Sequence, residues 1–246
     1  MTPDTITEAY LYLLGRALVI RQEQIDMADP NIGYNDIRYN ELGSAEFVNP
    51  NFDVAYLEAW IAPDEDQPVH LEIPRITGRY YTVQVLDEWG EVIANINDRT
   101  MPLSPASTFV FFAPRSRLMA SPGAGAIYIR SHKAKLVARV ELKGDPATAV
   151  ALQRQFRMSG GTQIIPLAPE LPNFDNDSLI GVELFENASA ILGSALDVSP
   201  IAAELQQKVR AVEGYVASGS AARENVEALL TDKIIPSLRS LVTAAG

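Results

Sequence analysis

Arg79-Tyr80-Tyr81-Thr82-Val83-Gln84-Val85-Leu86 is the stretch on which the fold turns. Tyr81, Val83 and Val85 alternate with Tyr80, Thr82, Gln84 and Leu86, the period of two that sends successive side chains to opposite faces of a strand. One side is core. The other is amphipathic, as where a sheet lines a pocket or meets another element. The same period continues on both sides of this stretch, with candidate strands at 52–61, 69–73, 79–86, 91–97, 108–113, 126–130 and 135–142. Between them stand Pro63-Asp64, Pro74, Gly78, Trp89-Gly90, Pro102, Pro105, Pro114, Pro122-Gly123 and Gly125. Short strands punctuated this regularly predict an antiparallel sandwich or barrel.

Helical spacing frames the β region. Ile6, Ala9, Tyr10, Leu13, Ala17 and Ile20 predict a buried face on a helix over 5–27, with Thr5 and Glu8 at capping-box spacing and a stop before Asp29-Pro30. Asp145-Pro146 opens a helix running to about residue 156, followed by a Gly-, Pro- and Asn-rich loop over 159–177. Three helices are expected at about 178–194, 199–217 and 221–242, the second capped by Ser199 before Pro200, the last kinked by Pro236. The reading is a mainly β protein with helical extensions. A helix plus β-sandwich domain fills 1–158, and a loop with a C-terminal helical extension fills 159–246.

Composition narrows the partners. Twenty Lys and Arg stand against 31 Asp and Glu, a net charge of −11, and no basic stripe occurs, so nucleic acid is not expected. Without cysteine there is no disulfide, thiolate nucleophile or cysteine-held metal. No apolar run reaches the ~18 residues of a membrane span. The N-terminus lacks a secretory pattern, which places the chain as given in the cytoplasm, or in the periplasm or outside the cell if a signal has been removed.

Familiar catalytic strings are missing: there is no Gly-x-Ser-x-Gly elbow, His-Glu-x-x-His or phosphate-binding Walker loop. Gly123-Ala124-Gly125 lacks the third glycine of a dinucleotide fingerprint and leads into a strand. His70 and His132 are the two histidines, far apart and without a recognisable partner. Asp175-Asn176-Asp177 with Glu186 resembles a calcium loop, but Leu179 and Ile180 occupy positions that need an oxygen ligand and a glycine; helix capping by Asp177 or Ser178 explains it better. Asp64-Glu65-Asp66 reads as a solvated acidic turn. Neither metal nor cofactor is expected.

The dense cluster lies in the β region: Asn51, Asp53, Tyr56, Trp60, Arg79, Tyr80, Gln84, Asp87 and Arg99. Rings, amides, a carboxylate and an arginine suit the wall of a pocket for a small polar or aromatic molecule. In that reading Tyr56, Trp60, Tyr80, Gln84 and Arg99 form the wall, and Asp53 and Asp87 fix orientation. Alternatively Asp53 or Asp87 acts as base with Tyr80 or Tyr56 as proton donor, in a hydrolase or lyase. Ion pairing of Arg79 with Asp87 or Asp53 to hold strands and turns explains the same residues without a ligand. A third reading is structural, with Leu179, Val182, Phe185 and Leu192 of the C-terminal helices buried against a second subunit.

Asn51-Phe52-Asp53-Val54-Ala55-Tyr56-Leu57, Trp60, Pro74, Gly78-Arg79-Tyr80-Tyr81, Gln84, Asp87 and Arg99-Thr100 resemble the hallmark segments of the bacterial family called domain of unknown function 1254, and Arg139, Asp145 and Gln153 resemble its ending. Val54 and Leu57 stand where the family usually has Thr and Ser, which removes two hydroxyls. The resemblance covers about residues 30–158. It implies a jelly-roll-like β-sandwich, often in exported proteins, and carries no established activity. Many relatives continue into a second β domain, numbered 1214, so the chain is expected to be a single-domain form without that companion.

Overall fold

The computed structural model describes residues 1–44, 51–101, 107–162 and 164–244, with side chains described as far as residue 240. Pro102 and Pro105, read above as turn formers, lie outside the described residues. Contacts divide the chain into two compact units, Ile25–Leu167 and Met1–Gln24 with Ala168–Gly246.

Two sheets build the first of these, the β unit. A five-stranded sheet runs in the order β1 (Arg38–Tyr39), β2 (Val54–Ile61), β8 (Ala134–Glu141), β4 (Tyr81–Asp87), β5 (Val92–Ile96). A four-stranded sheet runs β7 (Gly125–Tyr128), β6 (Ser107–Phe112), β3 (Val69–Ile73), β9 (Arg157–Gly160). Among the described residues the pairings of named strands are antiparallel, as expected of a predominantly antiparallel protein, except β6 with β7, which is parallel. Gly125 makes that pairing possible. A Cβ there would sit 2.5 Å from the Phe109 ring, its register partner, so only glycine lets the two backbones close.

Alternation sorts the strands as expected. Leu57, Val83, Val85, Leu136 and Ala138 of one sheet and Val69, Leu71, Phe109 and Phe111 of the other enter one buried apolar cluster. The strand β2 departs from alternation, because all eight of its residues are buried. A strand without a wet face must pair every polar group it carries.

Asp145 opens α2 (Pro146–Gln153), its side chain accepting the Thr148 N–H at 3.1 Å with proline at the first turn. The Thr148 hydroxyl, then that Thr148 N–H bond, and least the nearby Arg79 hold the Asp145 carboxyl below the usual aspartate value. A lowered folded-state pKa stabilises above the unfolded value and the benefit fades as pH falls through the folded one. Asp145→Ala is therefore expected to lower the urea midpoint at pH 7 and to leave it unchanged near pH 2. Equal losses at both pH values would contradict the cap.

Helices build the second unit. They are α1 (Pro3–Ala28), whose last turn belongs to the β unit, α3 (Glu183–Glu186), α4 (Ala188–Ser194), α5 (Ala202–Val216), α6 (Ser220–Leu229) and α7 (Ile235–Ala244). Ile6, Ala9, Tyr10, Leu13, Ala17 and Ile20 of α1 pack with Leu184, Phe185, Ile191, Val209, Val212 and Leu230, and Val182 joins the same core. A π-helical turn, Leu230–Ile234, joins α6 to α7 just ahead of Pro236, where proline removes an N–H and crowds the preceding turn.

Four local expectations are corrected. The first turn of α1 takes its side-chain bond from Thr2, whose hydroxyl accepts the Thr5 N–H, so the cap lies three residues earlier than Thr5. The expected helix over 178–194 starts only at Glu183 and breaks at Asn187. Asp175 closes a turn on Asp177 and Ser178 rather than either of those capping a helix. Helix α5 begins at Ala202, whose N–H donates to the Ser199 carbonyl, while the Ser199 N–H and hydroxyl turn back to Asp197.

Candidate functional site

The structure spreads the sequence-nominated residues over three places. Tyr56, Trp60 and Gln84 share one face of the five-stranded sheet, with Arg139 over the Tyr56 ring at 5.4 Å and Lys135 over the Trp60 ring at 5.1 Å. Tyr56 and Trp60 are both buried, and the Tyr56 hydroxyl accepts the Asn51 N–H at 3.0 Å. Asn51 and Asp53 form an exposed turn in which the Asn51 side chain accepts the Asp53 N–H.

A second group holds the fold. Arg79 donates to the carbonyls of Glu141 and Leu142 and lies 3.9 Å from Asp145, so its guanidinium ties the end of β8 to the start of α2. Asp87 sits on the opposite face of β4 from Gln84. One of its oxygens accepts the N–H groups of Trp89 and Glu91, closing the β4–β5 turn, and the other meets Arg130 at 3.1 Å. These bonds use Asp87 as a turn clamp rather than as a base facing a tyrosine. The third place is the surface, where Arg99 lies over the Tyr80 ring at 5.5 Å and Tyr80 is 39% exposed.

A set not singled out in the sequence proves the most concentrated. Asp26, Glu58 and Lys135 are 2, 4 and 3% exposed. The Lys135 ammonium lies 2.7 Å from Asp26 Oδ2 and 3.0 Å from Glu58 Oε2. The Trp60 indole N–H donates to the same Asp26 oxygen at 2.7 Å, and the Asn40 amide donates to Glu58 at 2.7 Å. The signal was available: Glu58 interrupts a strand otherwise apolar on both faces, and such a carboxylate must find a cation. A recess between Trp60, Asp36 and Arg38 reaches this network, but its volume of about 10 Å³ is at the limit of what one water needs. Paired carboxylates and a lysine are acid–base chemistry in kind; here their access is for water alone.

Two further buried side chains of the β unit are tied to the main chain, while among the described residues the Gln153 and Asn40 side-chain oxygens are buried without a hydrogen-bond partner. Glu88 accepts the N–H groups of His132 and Lys133 and lies 3.8 Å from the Lys133 ammonium. Gln153 donates to the carbonyls of Asn40 and Tyr56. His132 is exposed and His70 half-buried. Among the described residues no group of three or more His, Asp or Glu side chains is placed to hold a metal ion.

Room for a ligand is found in the helical unit. A cavity of about 640 Å³ is walled by Leu11, Leu14, Gly15 and Leu18 of α1, by Asn176, Asp177 and Leu179, and by Leu238 and Arg239 of α7. Beside it lies a hollow of about 260 Å³ between the start of α1 and the π-helical turn, sharing Leu11 and Leu238 as walls. Leu11, Gly15 and Leu18 recur at helical spacing, a second stripe beside the core-facing one. Below it Tyr10 donates to the Ile180 carbonyl, and burial pushes its phenol up to about 12 while the Arg239 charge pulls it back.

No helix among the described residues is long and apolar enough to cross a membrane. Among solved structures, the VPA0106 protein from Vibrio parahaemolyticus aligns with a TM-score of 0.68 at 14% identity, over 99% of this chain and 60% of that one. Identity that low shows the fold alone. An uncharacterized protein from Burkholderia cenocepacia aligns with a TM-score of 0.38 at 13% identity, over 85% of this chain and 52% of that one. The chain thus spans 60% or less of the length of these two proteins. No curated protein matches it. The profile of the DUF1254 family, described as protein of unknown function, matches residues 34–160, just over half of the chain. Tyr56, Trp60, Arg79 and Asp87 fall inside that match, and the chain belongs to the DUF1254 family.

Proposed function

We propose that the protein is a small-molecule binding module whose ligand lies in the helical unit. One observation carries this: the cavity beside α1, at about 640 Å³, falls within the range of ordinary ligand sites, whereas the recess at Trp60 takes a water. Its wall is mostly leucine with Arg239, Asp177 and Asn176 at one side, the pattern of an amphipathic ligand's site. We further read the two sheets, which share one apolar cluster, as the layers of a jelly-roll-like β-sandwich.

The test uses a neutral apolar dye, N-phenyl-1-naphthylamine, and the variant Gly15→Phe. Nothing lies within 4 Å of a Cβ built on Gly15, so the helix accepts a side chain there, and the ring then projects into the cavity. Dye fluorescence is expected to rise with the native chain and to fall at least tenfold in Gly15→Phe at equal helicity. Unchanged dye binding in that variant would remove the cavity as the site. A second reading is favoured by Tyr80, whose exposed ring under Arg99 offers a stacking platform for a polar or aromatic molecule. Loss of binding in Tyr80→Ala, with Gly15→Phe silent, would move the site there.

A further inference from the structure

We infer that the face of the five-stranded sheet opposite the apolar cluster binds a small aromatic carboxylate, received by Arg139 and Gln84 with its ring toward Tyr80. The site lies in the β unit and is independent of the cavity beside α1. It extends the second reading above, that of Tyr80 as a platform, by adding the charge that selects the ligand. Register brings the three residues together. Arg139 stands opposite Tyr56 on one side and Thr82 on the other, and Gln84 and Tyr80 lie two residues to either side of Thr82. The Tyr80 carbonyl accepts the Glu141 N–H at 2.9 Å, which continues the ladder and gives Tyr80 the parity of Thr82 and Gln84. Diagonal neighbours of this kind are about 7–8 Å apart, within reach of long and aromatic side chains.

An unanswered cation is the main reason. From Arg99 to Val140 the chain has no Asp or Glu. Within that span Arg130 is paired with Asp87, Lys133 with Glu88, and Lys135 with Asp26 and Glu58. Arg139 is half-buried, and among the described residues the Tyr56 ring is the only partner of its guanidinium. Two acids share its face, but Glu58 already holds Lys135, and Glu141 turns an oxygen to the Tyr80 N–H at 2.8 Å. The Gln84 amide is also half-buried and unbonded among the described residues. The unbonded polar atoms of both side chains are open to solvent rather than buried.

The arrangement is prepared for an anion. Tyr56 is 2% exposed and its hydroxyl is anchored on the Asn51 N–H, so the ring supports the guanidinium before a ligand arrives. The N–H edge of such a guanidinium receives a carboxylate through two parallel bonds, and the Gln84 amide adds a donor beside it. Arg99, over the exposed Tyr80 ring, places a second positive charge next to a flat apolar surface. The protein's net charge of −11 disfavours anions in general, so selection of one here needs these local cations.

The experiment titrates the full chain with para-fluorobenzoate and para-fluorobenzyl alcohol, followed by fluorine NMR. The acid is expected to bind about tenfold more tightly than the alcohol, which has neither the charge nor the second acceptor oxygen. Arg139→Gln is expected to erase that gap and leave the alcohol unchanged, and Arg139→Lys, which keeps the charge without the fork, to recover only part of it. Gln84→Leu is expected to weaken the acid about threefold, with Arg139 and its ring untouched. Cyclohexanecarboxylate is expected to compete about threefold less well than benzoate, since its puckered ring cannot lie flat on Tyr80. Gly15→Phe is expected to change none of these affinities. Equal binding of acid and alcohol overturns the inference, as does an acid that never binds, and either leaves the cavity to its own dye test. Loss in Tyr80→Ala with Arg139→Gln and Gln84→Leu both silent keeps the platform reading and overturns this one. Loss confined to Gly15→Phe places the acid in the helical unit and overturns it as well. Equal competition by cyclohexanecarboxylate overturns the aromatic half and keeps the carboxylate.

Discussion

Lys135→Met is expected to destabilise the β unit by about 3–5 kcal/mol, because it leaves Asp26 and Glu58 buried together without their shared cation. The methionine keeps most of the stem's packing, so the loss reports the charge. Urea unfolding followed by tryptophan fluorescence measures it, with Trp60 itself bonded to Asp26. Replacing all three, as Asp26→Leu, Glu58→Leu and Lys135→Met together, is expected to recover most of the stability, since a buried ion set exchanged for apolar groups of similar volume is close to neutral. A loss under 1 kcal/mol in Lys135→Met would mean that water reaches the network far more freely than its burial implies.

Gln153→Ala is the second large effect, about 2–4 kcal/mol. Gln153 is fully buried and donates to the carbonyls of Asn40 and Tyr56, clasping the end of α2 to β2 and to the residue after β1. Tyr56 keeps a second donor in the Asn40 N–H, so the stranded group is the Asn40 carbonyl, and a cavity is left as well. Faster amide exchange at Asn40 and slower change elsewhere would localise the loss. Gln153→Glu, which keeps the volume and removes the donor, is expected to lose at least as much. Exchange that rises uniformly over the β unit would show global destabilisation instead of a broken clasp.

The strands were legible where alternation ran for five residues or more. The run 69–73 matches β3 to the residue, and 79–86, 135–142 and 91–97 differ from β4, β8 and β5 by one or two residues at each end. Two strands were not legible. Arg38–Tyr39 has two residues, too few for any period, and Arg157–Gly160 follows a helix and ends in glycine, so it reads as loop until β3 offers it an edge. Its existence depends on the partner, not on its own residues.

The site was legible only in part, for a related reason. Sequence proximity and residue type gathered Tyr56, Trp60, Gln84, Asp87 and Arg79 into one cluster. Strand parity then separates them, since Asp87 and Gln84 face opposite ways on β4, and Arg79 turns to main-chain carbonyls. Asp26, Glu58 and Lys135 were passed over because charged residues near a helix end or inside alternating strands ordinarily meet water, and their burial follows from tertiary packing, with Asp26 and Lys135 meeting across a gap of 109 residues. The cavity stripe on α1 was hidden by the stronger core stripe of the same helix. Two apolar stripes on one helix look like one wide one until the partner helices are in place.

The π-helical turn ahead of Pro236 has a consequence for how this chain tolerates change in length. One extra residue is accommodated in Leu230–Ile234, and each residue of an α-helix advances the direction of the side chains by about 100°. Deleting a single position there would close the wide turn to ordinary α-helical geometry and leave Leu238 and Arg239 on the cavity wall, whereas deleting one between the wide turn and Leu238 would swing both about a quarter of a revolution away. The helical unit would keep its composition and nearly all its hydrophobic residues, and lose its aim.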